Sequence, residues 1–381
     1  MHKHISKNKK LLVVSDTGMV IDSDNTVKAF GPVVTELNHL LLEFDEITWI
    51  GFNSKHQFQN KSYLNVSNKK IKTILLDEVG GTTLFSKLKI ICFYPKMVIT
   101  ILREVFKNNY IHSRAPSNPS VIIMLLSFFF KKKIFWHKYA GSWVDRAPFF
   151  YSFQRRFLRS LRKSNNIITI NGNYSKSKNI LPFENPCIDN KDRVFGKEII
   201  EEKENEGKIN FCFVGALNSN KGVPEIIETF KNIVSEKIGE IHFVGSCNEV
   251  EKYITSAKEI PFKTIFHGFL SKDKIKKVYK KSHFILLPSK SEGFPKVIGE
   301  AMNFGCIPIV SNISCIGEYV HDDENGYLLS KPTSKILKRT IERALQLNPI
   351  KYKKWLRNNY EISKKFTYSY YTHRVKVEIF R

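Results

Sequence analysis

Two stretches of the sequence carry side chains suited to binding a phosphorylated ligand. The first is a glycine loop, residues 215–222, which follows the apolar run Ile209–Val214 and precedes a helical pattern. Backbone N–H groups of such a loop and of the following helix start suit phosphate oxygens, and Lys221 adds a compact positive charge. An ordinary strand-to-helix turn with a solvated lysine is the alternative interpretation of the same residues.

The second stretch places two carboxylates eight residues apart, Glu292 and Glu300, on either side of a Gly-Phe-Pro turn. We predict a helix over residues 295–303, because Pro295 suits a first helical turn. Carboxylates accept hydrogen bonds from sugar hydroxyls, and the free N–H groups of residues 294–297 favour a phosphate. The alternative makes Glu292 a helix N-terminal charge and Glu300 a surface residue. The apolar neighbours of Glu300 favour the functional interpretation.

The elements around these stretches alternate between strands and helices. Such alternation predicts a parallel, doubly wound sheet whose ligands bind at the carboxyl ends of the strands. The first half shows the same alternation less clearly, with candidate strands at residues 11–14, 46–50, 72–76, 133–137 and 166–170. We therefore predict an α/β protein of two similar domains facing a cleft. The boundaries are residues 1–186, a charged linker at 187–207, a second domain at 208–350, and a helical segment at 351–381 that packs back on the first domain.

In order and spacing, the second half resembles the retaining glycosyltransferases of family four. The resemblance lies in residues 215–222, the Glu292-x7-Glu300 pattern, and two further stretches, residues 305–310 and 325–328. It implies the GT-B fold, two Rossmann-like doubly wound domains facing a central cleft, and a nucleotide-sugar donor bound by the second domain. The first half matches only in general layout.

The resemblance also implies roles for single residues. Lys221 corresponds to the lysine at the donor diphosphate, Glu292 to the acid at the donor sugar, and Glu300 to the acid that holds the ribose hydroxyls. The loop that approaches the donor comprises Gly215 on one side and Gly293, Phe294, Pro295, Lys296 and Val297 on the other. The chain departs from the family at Ala216, where arginine is usual, and at Pro295, where glycine is common.

The first half should hold the acceptor. Arg114 stands before a predicted helix start, His137 is at the end of a candidate strand, and Gly141 follows that strand. We predict these three residues on the acceptor side, with His137 as a candidate catalytic base, and Gly18 in the loop after the first strand.

No cofactor or metal is expected, since GT-B enzymes hold the diphosphate with cations and helix ends. Asp22 and Asp24 resemble a metal-binding Asp-x-Asp motif, which we interpret as a polar loop. The six cysteines form no CxxC pair, and residues 11–14 are too short an apolar run for a signal peptide. We therefore expect reduced thiols in a cytoplasmic protein.

The 381 residues carry 61 Lys and Arg against 36 Asp and Glu, a formal net charge of +25. A net +16 lies in residues 1–186. Residues 149–163 predict an amphipathic helix with Phe150, Phe153 and Phe157 on one face. The other face carries cations that we predict to meet an anionic membrane: Arg155, Arg156, Arg159, Arg162 and Lys163. A helix docked on the sheet with a solvated basic face is the alternative.

These observations predict a retaining glycosyltransferase that moves a sugar from a nucleoside diphosphate sugar to a lipid-linked or polysaccharide-precursor acceptor. It would act as a peripheral protein on the inner face of the cell membrane. Two alternatives stay open, a nucleotide-sugar epimerase on the same fold and a polyanion-binding protein. Nucleic acid is disfavoured as a partner, since the sequence lacks an RNP signature or zinc finger.

Overall fold

The computed structural model describes residues 9–54, 62–77, 84–161, 165–247 and 249–380, with the side chains of residues 84–92 left out. The chain divides into two compact units. The N-terminal unit comprises Met1–Phe183 and Tyr371–Arg381, and the C-terminal unit comprises Glu184–Tyr370. None of the described helices is long and apolar enough to cross a membrane.

The N-terminal unit is an α/β structure. Its described strands are β1 (Lys10–Ile21), β2 (Val27–Phe30), β3 (Glu46–Asn53), β4 (Tyr63–Asn65), β5 (Ile71–Asp77), β6 (Tyr110–Ala115), β7 (Ile134–Tyr139), β8 (Asn166–Ile170) and β9 (Ile180–Pro182). Its helices are α1 (Gly31–Leu40), α2 (Leu84–Lys107), α3 (Asn118–Leu126) and α4 (Phe149–Ser160).

Seven of these strands run parallel in the order β5-β3-β1-β6-β7-β8-β9. β2 and β4 extend the far end of β1 as an antiparallel pair. Successive residues of β1 enter opposite cores: Leu11 and Val13 pack towards α1, whereas Leu12 and Val14 pack with apolar residues of α2 and α3. The sheet is therefore buried on both faces, which explains the continuous apolar runs in its strands.

The C-terminal unit is a second α/β structure. Its strands are β10 (Ile209–Val214), β11 (Ile238–Val244), β12 (Lys263–Phe266), β13 (Phe284–Leu287), β14 (Ile307–Ser311) and β15 (Tyr327–Leu329). The helices are α5 (Asn190–Glu202), α6 (Val223–Lys231), α7 (Val250–Ala257), α8 (Lys272–Lys281), α9 (Lys296–Asn303), α10 (Ser334–Ala344), α11 (Pro349–Ser363) and α12 (Tyr368–Arg374), the last of which runs across the unit boundary.

Its six described strands are all parallel, in the order β12-β11-β10-β13-β14-β15. The order reverses at β10, where the chain passes first outward to β11 and β12 and later to β13 on the other side. β10 and β13 are neighbours at this switch point, where open α/β sheets bind their ligands. The predicted α/β class with two Rossmann-like units is thus confirmed.

The predicted linker at residues 187–207 is wrong, because most of that stretch is helix α5 in the C-terminal unit. Asp189 caps the helix by accepting from the N–H of Asp192 at 2.8 Å. Lys203, just beyond the helix, is buried and donates to four backbone carbonyl oxygens at the ends of α8 and α9, those of Tyr279, Ser282, Phe304 and Gly305. The charges that suggested a linker therefore serve capping and buried contacts.

Candidate active site

The loop after β10 lies against the end of β11 with no room for side chains. Gly215 has φ 155° and Gly245 has φ 141°. A Cβ atom on Gly245 would lie 1.8 Å from the carbonyl oxygen of Gly215. Glycine is therefore required at position 245 by the close approach of two backbones.

The same loop ends in a short 3-10 turn, Ser219–Lys221, that sets the position of Lys221. The side chain of Asn218 accepts from the N–H of Lys221 at 2.9 Å. Gly222 then adopts φ 77°, and a Cβ atom there would lie 2.3 Å from the carbonyl oxygen of Pro288. The turn thus presses against the loop that follows β13, and α6 begins directly after it.

An ion pair joins these two loops. The ammonium of Lys221 contacts Glu292 Oε1, and Ser289 Oγ donates to the same oxygen at 2.8 Å. The N–H of Lys290 also donates to the carbonyl oxygen of Asn220 at 2.8 Å. The Lys221 and Glu292 side chains are 25% and 7% exposed, so the pair is sheltered yet reachable. The structure therefore brings together the two residues that the sequence placed 71 positions apart.

The loop after Glu292 is anchored by an aromatic stack. Phe294 is buried, lies parallel to Phe366 at 4.7 Å between ring centroids, and meets Tyr319 edge-on at 4.9 Å. Pro295 is the residue before α9 and not part of its first turn, so the predicted start is one residue early. The first N–H groups of α9 have no partner within the helix and lie beside Lys296. The ammonium of Lys296 makes no ion pair with any described residue.

Glu300 lies one turn into α9, near Tyr279 of α8, whose hydroxyl donates to Glu300 Oε2 at 3.4 Å. Burial raises the pKa of Glu300 from 4.5 to about 7, against the opposing effect of Lys272 and Lys296. This carboxyl group is therefore close to half protonated at neutral pH. It can accept a hydrogen bond from a ligand hydroxyl when ionised.

In the N-terminal unit, Gly18 does not lie in a loop. It is part of β1, which continues to Ile21 after an irregularity between Val14 and Gly18. A Cβ atom there would lie 2.6 Å from Ser54 Oγ. Gly141 follows β7, and a Cβ atom would meet the Tyr139 ring at 3.2 Å. The two glycines are thus sites of tight packing.

The role predicted for His137 is wrong in this structure. Its side chain has no exposed surface and hydrogen-bonds Ser113 Oγ at 2.8 Å and Asn166 Oδ1 at 3.0 Å. Burial lowers its pKa to about 4, so the ring is neutral at physiological pH. An imidazole enclosed in the core cannot reach an acceptor hydroxyl, and we assign it a structural role.

Arg114 lies in a charged cluster that the sequence did not predict. Glu36 Oε1 accepts from Arg114 at 2.8 Å and from the hydroxyl of Tyr371 at 2.8 Å, while Lys138 donates to both of its oxygens at 2.9 and 3.0 Å. Glu36 and Lys138 are buried, whereas the Arg114 side chain is 18% exposed. Glu36 could have been suspected from the sequence, as an acid within the apolar pattern of α1.

The Asp22-x-Asp24 sequence forms the turn between β1 and β2. Asp22 pairs with Lys28, and Asp24 accepts from the Thr26 hydroxyl at 2.6 Å. Both carboxylates are therefore used within the turn. Across the described residues, no three His, Cys, Asp or Glu side chains gather in a way that could hold a metal ion.

A known protein family matches the C-terminal unit in sequence. Residues 195–362 match the family model described as glycosyl transferases group 1. This match runs from within α5 through most of α11 and includes the Lys221–Glu292 pair and Glu300. The C-terminal unit thus carries the sequence pattern of that family.

Curated relatives agree with this match. An uncharacterized glycosyltransferase of Methanocaldococcus jannaschii is 32% identical over 169 residues, 43% of this chain and 46% of the relative. A capsular polysaccharide biosynthesis glycosyltransferase, CapH, of Staphylococcus aureus is 26% identical over 185 residues, 46% of this chain and 44% of the relative. The chain therefore spans less than half the length of these relatives.

Solved structures cover nearly the whole chain. Anabaena HepE, solved in complex with UDP, superimposes with a TM-score of 0.69 at 13% identity, covering 96% of this chain and 98% of that protein. A likeness at this identity shows the fold. The chain has the GT-B fold, as the resemblance of its second half implied.

The contact between Gly222 and Pro288 can be tested with a matched pair of variants. Gly222 and Gly207 have φ values of 77° and 80°, but a Cβ atom on Gly207 meets nothing within 4 Å. We expect Gly207→Ala to lower the free energy of unfolding by about 1 kcal/mol through backbone strain alone. Gly222→Ala should lower it by about 3 kcal/mol, because the loop after β13 must also shift. Equal losses in urea unfolding would contradict the close contact.

The environment of Glu300 predicts a pH-dependent stability. Its pKa is higher in the folded chain than the ordinary 4.5, so the folded state binds the proton more tightly. Because of this residue, the free energy of unfolding should fall by roughly 2 kcal/mol as the pH rises from about 5 to 8. We expect Glu300→Gln to be more stable than the parent at pH 8, with a smaller gain at pH 5. The control Glu251→Gln, an exposed acid on α7, should follow the parent, and a constant Glu300→Gln difference across this range would refute the account.

Proposed function

We propose that this chain is a retaining glycosyltransferase that moves a sugar from a nucleoside diphosphate sugar to a lipid-linked or polysaccharide-precursor acceptor. The observation that carries the proposal is the contact of Lys221 with Glu292 at the switch point of the C-terminal sheet. A cation for phosphate and a carboxylate for sugar hydroxyls are thus held side by side. The match of residues 195–362 to group 1 glycosyl transferases supports it.

The donor diphosphate is bound by cations and main-chain N–H groups in this proposal. Lys221 has three N–H donors, only one of which is needed for Glu292. The start of α9 offers further N–H groups, and Lys296 beside it is free to bind an anion within the described part of the chain. Lys296 therefore compensates for Ala216, which stands where the family usually has arginine. Glu300 holds the ribose hydroxyls.

In the transfer step, the bond between the sugar carbon and the leaving phosphate oxygen breaks. The acceptor oxygen forms its new bond on the same face of the sugar, so the configuration is retained. The acceptor proton passes to the departing phosphate oxygen, and no side-chain base is needed. Lys221 and the N–H groups of the α9 start stabilise the negative charge that develops on the diphosphate. The enclosure of His137 agrees with a step that uses no histidine.

The acceptor is bound by the N-terminal unit in this proposal, with Arg114 as its contact. The Arg114 guanidinium donates one hydrogen bond among the described residues, to Glu36. The side chain is 18% exposed, and the guanidinium has further N–H groups for an anionic acceptor. The net +16 of residues 1–186 supports an anionic group. CapH of Staphylococcus aureus, named for capsular polysaccharide biosynthesis, supports a polysaccharide precursor.

We place the activity in the cytoplasm, at the inner face of the cell membrane. The described cysteines Cys187, Cys212, Cys247, Cys306 and Cys315 are unpaired thiols. Unpaired thiols in this number are typical of a reducing compartment.

Removing either member of the ion pair should slow sugar transfer strongly. We expect Lys221→Ala and Glu292→Ala each to lower the turnover number by at least about a hundredfold, because each loses a charge that acts on the reacting donor. The measurement is nucleoside diphosphate release from a panel of nucleotide sugars in the presence of a membrane extract that supplies the acceptor.

The matched control is Lys290→Ala, since Lys290 lies in the same loop and its exposed side chain pairs with the partly buried Glu225 at 3.0 Å. It should keep turnover within about threefold of the parent, as surface ion pairs contribute little. Full activity in Lys221→Ala and Glu292→Ala would refute the assignment of these residues.

A further inference from the structure

Helix α4 presents aromatic side chains to solvent. Phe149 is 88% exposed and Phe153 is 47% exposed, whereas Gln154 and Leu158 are buried. Phe157 is half-buried and packs against the same core as Leu158, so the rings that remain outside are those nearer the start of the helix. This arrangement is unusual for a helix docked on a sheet, whose apolar side normally faces the core.

The aromatic side of α4 continues onto the turn that follows α3. Phe157 stacks on Phe128 at 5.9 Å between ring centroids and lies 6.1 Å from Phe153. Next to Phe128, Phe129 is 79% exposed. We call Phe128, Phe129, Phe149, Phe153 and Phe157 the aromatic patch. Phe128 and Phe157 are half-buried against the core, and the other three rings of the patch are exposed. An exposed apolar patch marks an interaction surface.

The basic residues of α4 do not form the single membrane-facing surface that the sequence suggested. Arg155 donates to the carbonyl oxygens of Ser142 and Asp145 at 3.0 and 2.9 Å. Arg159 donates to the carbonyl oxygen of Trp143 at 3.0 Å, with its guanidinium 4.9 Å above that ring. The prediction is therefore wrong for these two arginines, which fasten the helix to residues 142–145.

Of the other cations predicted to face the membrane, only one lies within the described residues. Arg156 is exposed beside the aromatic patch. Arg162 and Lys163 lie outside the described residues. Lys131 and Lys132 are exposed and lie two and three residues after Phe129 in the chain.

The positive charge around the aromatic patch indicates which kind of partner binds there. Residues 121–163 contain ten Lys and Arg and one acid, Asp145, whose carboxylate accepts from Ser142 Oγ at 2.7 Å. A second copy of a chain with a net +25 would bring the same positive charge to the contact and be repelled. An anionic surface with an apolar interior satisfies both the cations and the exposed rings.

We propose that the aromatic patch inserts into the interfacial layer of an anionic lipid bilayer, with Arg156, Lys131 and Lys132 on the lipid headgroups. Phenylalanine is among the residues that interfacial amphipathic helices bury at this layer. The proposal deepens the proposed function by naming the surface where the acceptor is met. Vesicle binding tests it without any sugar transfer.

The test is co-sedimentation of the full chain with vesicles of phosphatidylglycerol mixed with phosphatidylcholine, and with phosphatidylcholine alone. We expect binding to the anionic vesicles only. The double variant Phe149→Ser/Phe153→Ser should weaken this binding at least about tenfold, because it removes the two most accessible rings of α4. Phe269→Ser, which changes a phenylalanine 43% exposed in the C-terminal unit, should bind like the parent.

Two further measurements separate the outcomes. All variants should keep the thermal unfolding midpoint and the nucleotide affinity of the parent, which shows that the fold and the donor site are intact. Equal vesicle binding by the double variant and the parent overturns the proposal, as does absence of parent binding to anionic vesicles. Loss of binding to single-stranded polyuridylate but not to vesicles would assign the patch to nucleic acid and also overturn it.

Discussion

The contact between Lys221 and Glu292 is the interaction on which the candidate site depends. It joins the loops that follow two neighbouring parallel strands, β10 and β13, and it is supported by Ser289 on the same carboxylate oxygen. The loops can approach this closely because Gly222 has no side chain that would clash with Pro288. A separated lysine and glutamate would be two ordinary surface charges. Held together in a sheltered position, they can act on adjoining parts of one ligand, its phosphate and its sugar.

The sequence predicted the C-terminal unit well because its strands are short apolar runs closed by glycine or proline. The bounds of β10 are those of the apolar run at residues 209–214, and α9 differs from its predicted range only by starting one residue later. The prediction of a linker at residues 187–207 was wrong because their composition is that of a linker, whereas their contacts are long-range. Lys203, for instance, binds carbonyl groups 76 to 102 positions away. In the N-terminal unit, β2 and β4 were missed because short antiparallel strands owe their existence to pairing with the end of β1.

In the candidate site too, residues in local sequence patterns were predictable and residues placed by long-range contacts were not. Glu300 was predictable because an acid in an apolar stretch is conspicuous, and Lys221 and Glu292 because their loops have recognisable spacing. The fate of His137 was not predictable, since the sequence cannot show that Ser113 and Asn166 enclose its ring. The cluster around Glu36 joins residues 78, 102 and 335 positions away, which no local pattern indicates. The aromatic side of α4 was recognised as a face, but only the packing of Gln154 and Leu158 shows that it points outward.

The central claim is that Lys221 binds the diphosphate of the donor. Calorimetric titration of UDP, GDP and ADP into the full chain tests it most directly, with Lys221→Met and Lys290→Met as matched variants. The account predicts that at least one nucleotide binds the parent and that Lys221→Met weakens this binding by about tenfold or more, the loss expected for a charge-assisted contact. Lys290→Met should leave the affinity unchanged. Equal affinity in the parent and Lys221→Met would contradict the account.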